Sequence, residues 1–165
     1  MYSISSFDWC IHSFPPSLSF QSTCHLYFDV EATGLKSAGR PRISELSLIA
    51  VNIQDVLKMS KAIKDNIQNR TIESRLLQLR KLSPRIVNKL TLCIYPMATI
   101  VPLVSDITGL DNYNLTGQSK FDKKTVDLIN SFLLLLPSPV CLVAHNGNDY
   151  DFPLLKLKWT RHVNH

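Results

Sequence analysis

Apolar and polar positions change rhythm several times along the chain, and each rhythm predicts an element. Residues 25–31 (HLYFDVE) place apolar side chains at alternate positions and stop at Thr33-Gly34, which predicts a first strand. Residues 43–53 (ISELSLIAVNI) are β-branched and apolar and predict a second. Residues 55–82 are polar, lack glycine and suit helix, so they read as a long excursion. Pro84 fits the first turn of a short helix over 84–89, and a third strand follows over 90–95 (LTLCIY), stopped by Pro96. Over 123–136, Val126, Ile129, Leu133 and Leu136 fall on one helical face, and Pro137 and Pro139 end that helix. Residues 140–144 (VCLVA) form a continuous apolar run of the kind buried on both faces in parallel pairing. Asp151 then reads as the N-cap of a last helix, with Pro153 in its first turn. The order β-β-β-α-β-α predicts an α/β fold, a mixed sheet covered by helices.

Composition narrows the class. At 165 residues, 45% hydrophobic and 19% charged, the chain reads as one globular domain. No apolar run approaches the roughly 18 residues that span a bilayer, so no membrane partner is expected. Cys10, Cys24, Cys93 and Cys141 are widely spaced, which predicts reduced thiols inside the cell, in nucleus or cytoplasm, rather than a disulfide framework. Cys10, His12, Cys24 and His25 would make a zinc site only if adjacent Cys24 and His25 reached one tetrahedral ion from an extended chain; they read as scattered residues.

Charge is unevenly distributed. Residues 1–35 hold no lysine or arginine, and the remainder carries 18 basic against 10 acidic residues, a net +8. The serine-rich, aromatic start lacks the early basic residues of a secretory or mitochondrial leader, and residues 1–24 read as a weakly ordered extension. Nine lysines and arginines lie between Val56 and Leu90 against only Asp65 and Glu73. That excess suits either a solvated face or an electrostatic guide for a polyanion such as nucleic acid.

The chemistry begins where the first strand ends. In LYFDVEATGL, Leu26, Phe28 and Val30 face one side, while Asp29 and Glu31 project from the other, about 6.5–7 Å apart at Cα. Two adjacent carboxylates repel each other unless cations neutralise them. Hard oxygen ligands at that spacing suit Mg²⁺ or Mn²⁺, including a pair of ions about 3.5–4 Å apart. A second constellation lies in LVAHNGNDYDFPLL, where a buried strand runs into His-Asn-Gly and a carboxylate opens a helix. Asp151 would supply a third hard ligand from a rigid element end. Asp149 lies in the loop and ranks below it. His145, at a strand end beside Asn146-Gly147, reads as a structural hydrogen-bonding residue rather than a general base.

FDVEATGL, SDITGL (residues 105–110) and HNGNDYDFPLL together resemble the first motif, the substrate-wedge segment and the second motif of the three-prime repair exonucleases. These are DEDDh 3′→5′ exonucleases of the RNase H-like superfamily, and the resemblance covers about residues 27–156. It implies an RNase H-like mixed sheet with helices on both faces, strands one to three antiparallel and the fourth parallel to the first. PRISEL and PRIVNKLTLCIYP fit the family's second and third strands. By resemblance, Asp29, Glu31 and Asp151 are catalytic metal ligands for two Mg²⁺ ions, with Mn²⁺ a substitute. Ala32, Leu35, Ile107 and Tyr150 would hold the 3′-terminal nucleotide by backbone contact, wedging and packing.

The implied partners are DNA 3′ ends, single-stranded by preference, and a second copy bound through the third strand. The family's third motif, H-x-x-x-x-D, has no counterpart here: His162 and His165 are not followed by an aspartate. The expectation is therefore an exonuclease domain over 25–165 that is incomplete at its C-terminal end, without the fifth strand and last helices. Two readings follow: a metal-dependent 3′→5′ exodeoxyribonuclease, with no detectable activity expected of this exact chain because that motif is absent, or a non-catalytic nucleic-acid-binding or dimerising remnant of one.

Overall fold

The computed structural model describes residues 23–35, 39–66, 80 and 83–163. Four strands make one sheet: β1 (Cys24–Ala32), β2 (Ile43–Asn52), β3 (Ile86–Cys93) and β4 (Val140–Val143), in the order β3-β2-β1-β4. β1 pairs antiparallel with β2, β2 antiparallel with β3, and β1 parallel with β4. That is the strand arrangement expected of the RNase H-like order. The helices are α1 (Ile53–Asn66), α2 (Pro102–Thr108), α3 (Lys123–Leu134) and α4 (Asp151–Val163).

The period-two pattern sets which face is buried. Leu26, Phe28 and Val30 of β1 and Leu46, Leu48 and Ala50 of β2 enter the core, joined by Val126, Ile129 and Phe132 of α3 and Phe152, Leu154, Leu155 and Trp159 of α4. Phe28 and Phe152 stack with ring centroids 5.9 Å apart, fastening the start of α4 to the middle of β1. α3 begins where the Asp122 carboxylate accepts from the Thr125 N–H at 3.2 Å.

Several expectations shift. The helix expected over 84–89 is absent, because β3 already starts at Ile86 and pairs Val51 with Ile86 and Ala50 with Asn88. Exposed Lys89, Thr91 and Cys93 alternate with half-buried Leu90 and Leu92, so the strand period continues back through this stretch, and the ladder with β2 overrides the helix-start preference of Pro84. β1 begins at Cys24, inside the stretch assigned to the extension, and Cys24 is fully buried; residues 1–22 lie outside the described residues. The excursion over 55–82 opens with α1, whose Asp55 and Lys64 sit at the ends that suit the helix dipole, while 67–79, 81 and 82 lie outside the described residues. In β4 only Cys141 is fully buried and its neighbours are half-buried, so burial on both faces is partial. Among the described residues, no helix is long and apolar enough to cross a membrane.

β4 ends at Val143, opposite Tyr27, while β1 runs on to Ala32. The last residues of β1 therefore have a neighbour on the β2 side but, among the described residues, no strand beyond Val143 on the other. Crevices beyond the carboxyl ends of parallel strands are where α/β sheets place their sites.

Candidate functional site

Asp151 fills that gap. It is the first residue of α4 rather than its N-cap, and its Oδ1 accepts from the Val30 N–H at 3.2 Å across the opening that β4 leaves. The carboxylate is thus tied to β1 between Asp29 and Glu31, and only 6% of Asp151 is exposed. Asp29 is exposed and Glu31 half-buried on the sheet face away from the core, the side assigned to them by alternation. Their fields overlap: burial first, then Asp29, Glu45 and Asp151, raise the Glu31 carboxyl above its ordinary range. Burial also raises Asp151, assisted by Asp29 and opposed by the Val30 N–H and by His145. Among the described residues, no three histidine, cysteine, aspartate or glutamate side chains already close into a metal cage. Mutually repelling carboxylates of this kind have the hard-donor chemistry that divalent cations satisfy.

Glu45 is the carboxylate that sequence reasoning passed over. It lies directly opposite Glu31 in the β1–β2 register, and the Cys93 thiol donates to its Oε2 at 3.7 Å. The signal was present, since Glu45 is the only charged residue in β2. Tyr150 is half-buried, and its hydroxyl donates to the Gly34 carbonyl at 2.6 Å, clasping the turn after β1 to the start of α4. Ala32 is buried, so only its backbone is presented, while Leu35 is 68% exposed beyond that turn. Ile107 lies on α2, a helix that buries no residue, and is 76% exposed. His145 and Asp149 are exposed in the turn before α4, and the Asp149 N–H donates to the Asn146 carbonyl at 3.1 Å. His25 is buried within β1 and its Nε2 has no hydrogen-bond partner among the described residues.

The crowded carboxylates give a pH signature. With their pKa values raised above 4.5 for Glu31 and 3.8 for Asp151, the folded state holds protons more tightly than the unfolded chain. The resulting penalty is full above the raised folded values and vanishes below the unfolded ones. Glu31→Gln in chelator is therefore expected to raise Tm at neutral pH and to lose that gain as pH falls toward 4.5. A melt series showing the same Tm difference at both pH values would contradict the assignment.

No family model matches the chain. It is 38% identical over 133 residues to three-prime repair exonuclease 1 of Bos taurus, covering 79% of this chain and 38% of that protein. It is 41% identical over 133 residues to three prime repair exonuclease 2 of Homo sapiens, covering 79% of this chain and 50% of that protein. The chain therefore spans half or less of the length of these relatives. Among solved structures, the nuclease domain of 3′hExo, a DEDDh family member bound to rAMP, superposes with TM-score 0.57 at 12% identity, over 86% of this chain and 61% of that one. Exonuclease I from Methylocaldum szegediense gives TM-score 0.55 at 16% identity, over 84% of this chain and 23% of that one. The two structures share the fold, the two relatives share the sequence, and over those 133 residues this chain is homologous to the three-prime repair exonucleases.

Proposed function

We propose that this chain carries the metal-binding face of a 3′→5′ exodeoxyribonuclease that removes nucleotides from DNA 3′ ends, single-stranded by preference. The observation that carries the reading is the tie between α4 and β1, which holds Asp151 beside Asp29 and Glu31. These three carboxylates would hold Mg²⁺, two ions in the full site, with Mn²⁺ as a substitute. Bound there, the metal supplies Lewis-acid stabilisation of phosphate charge and a more acidic water. The chain's own residues do the positioning. Exposed Leu35 and Ile107 offer apolar surfaces to a terminal base, the Ala32 backbone lies beside Glu31, and Tyr150 fixes the turn that leads to Leu35. The Cys24 and Cys93 thiols, which form no disulfide, support an intracellular setting, in nucleus or cytoplasm.

The test is an oligonucleotide labelled at its 5′ end, incubated with Mg²⁺ or with chelator. Stepwise shortening from the 3′ end in Mg²⁺ alone is the result the catalytic reading requires. No shortening, with no stabilisation of the fold by Mn²⁺, would overturn the reading.

A second reading, nucleic-acid binding or dimerisation without catalysis, draws on β3. This strand is a sheet edge among the described residues, and Ile86 and Val87 are about half exposed on it. Stabilisation by Mn²⁺ without shortening, from a species that sediments as a dimer, would favour it.

A further inference from the structure

Asn146-Gly147 is the one place where an asparagine precedes a glycine in this chain. The fold asks for both residues. Asn146 sits in the left-handed region at φ 51, which short polar side chains adopt more readily than others. Gly147 is buried, and a Cβ added there would press on the Ala144 Cβ and the Phe152 ring. Asparagine is a thermally labile residue. A glycine after it, having no Cβ, lets the next backbone nitrogen come closest to the side-chain amide.

What the two reacting groups are bonded to decides whether they meet. Asn146 is exposed, and among the described residues neither its side-chain amide nor the Gly147 N–H makes a hydrogen bond. Other asparagines are restrained. Asn112 is held at both ends of its amide by Ile100, whose N–H donates to it at 2.9 Å and whose carbonyl accepts from it at 3.1 Å. Asn114 is held by the Asp111 N–H and the Gly109 carbonyl, each at 3.0 Å. Asn130 lies inside α3, where the next N–H belongs to the helix ladder. Asn148 precedes Asp149, whose N–H is committed to the Asn146 carbonyl at 3.1 Å.

We propose that Asn146 is a deamidation site whose conversion to isoaspartate loosens the start of α4. The Gly147 nitrogen gives its proton to solvent base and attacks the Asn146 Cγ. The side-chain nitrogen leaves as ammonia, and a cyclic imide remains. Water then opens the imide, so one water is consumed, one ammonia is released and nothing is oxidised or reduced. Opening at the side-chain carbonyl gives aspartate; opening at the main-chain carbonyl gives isoaspartate, which carries one more backbone carbon. That carbon enters a turn with no slack. The Gly147 carbonyl accepts the Phe152 N–H at 2.9 Å, the Phe152 ring stacks on Phe28, and Asp151 beside it is tied to the Val30 N–H. The modification needs neither metal nor substrate, so it stands independently of the exonuclease reading.

The experiment incubates the native full chain in mildly alkaline buffer, follows each asparagine by peptide mass mapping and records the melt at each time. The amide-to-acid mass gain is expected at Asn146 ahead of Asn112, Asn114 and Asn130. Part of the product accepts a methyl group from an isoaspartate methyltransferase, and Tm falls in step with conversion. Asn146→Gly, which suits φ 51 and has no amide to lose, keeps its starting Tm through the same incubation. A native chain that leaves Asn146 intact while the urea-unfolded chain converts it overturns the proposal, since the folded turn is then protective. So does conversion spread evenly over the asparagines, or conversion to aspartate alone. A Tm that holds despite conversion, or falls equally in Asn146→Gly, overturns the link to α4.

Discussion

On the exonuclease reading proposed above, Asp151→Asn is expected to reduce 3′-end degradation by more than about 100-fold, since removing even the outer partners of metal ligands costs 10–100-fold. The substitution keeps volume and retains an oxygen that can accept from the Val30 N–H, the bond that now measures 3.2 Å. What it removes is the charge and one of the two carboxylate oxygens. Fold and activity should therefore separate. The variant is expected to melt cooperatively at or above the wild-type Tm in chelator, because one of the repelling carboxylates is gone, and to lose most of the stabilisation that the proposed site would draw from Mn²⁺. Degradation that persists in Asp151→Asn would mean that the hydrolysis belongs to another site or to a contaminant.

Gly147→Ala carries the largest expected effect on stability. A methyl group at this position would lie 2.6 Å from the Ala144 Cβ and 2.7 Å from Phe152 Cε2. Overpacking of this kind typically costs about 1–3 kcal/mol. The upper part of that range is expected, because the site cannot yield freely. The Gly147 carbonyl accepts the Phe152 N–H at 2.9 Å, and Asn146 before it already sits at φ 51. The ring that must move is the one stacked on Phe28, so the clash reaches the start of α4 and Asp151 with it. Gly117→Ala, where nothing lies within 4 Å of an added Cβ, is the matched control and should be close to neutral. Denaturant melts of the two variants decide the matter; equal midpoints would show that the turn relaxes without cost.

Much of this architecture is legible in the sequence because burial follows period. The alternation through Leu26, Phe28 and Val30 gave the strand, its buried face and the opposite placement of Asp29 and Glu31 together. The apolar stripe Val126, Ile129, Leu133 and Leu136 marked α3 for the same reason, although the helix ends at Leu134 and the residue it buries beside Ile129 is Phe132. Where local and long-range preferences compete, the reading failed. Pro84 is a good helix starter, but pairing with β2 decides residues 86–89, and nothing local to that stretch reports its partner. α2 escaped notice because it buries no residue and so leaves no periodic trace; its stop at Gly109, φ 72, was its clearest signal. Within the site, the charged types were readable but the contacts were not. That Asp151 binds the backbone of Val30 depends on where β4 ends, and that Glu45 faces Glu31 depends on register. Both are tertiary facts, set by residues far apart in the chain.

The short reach of β4 has a consequence for observation. Because no β4 residue pairs beyond Tyr27, the amide proton of Val30 is sheltered by a side chain, Asp151, instead of by a neighbouring strand. Its exchange with solvent deuterium then follows the position of one carboxylate. A cation that draws Asp151 toward Asp29 and Glu31 should lengthen or break this bond and speed exchange at Val30, while the amides of Leu46 and Leu48, inside the three-strand ladder, keep their rates. A single backbone proton thereby becomes an occupancy gauge for the site, usable without substrate, without turnover and without altering any residue.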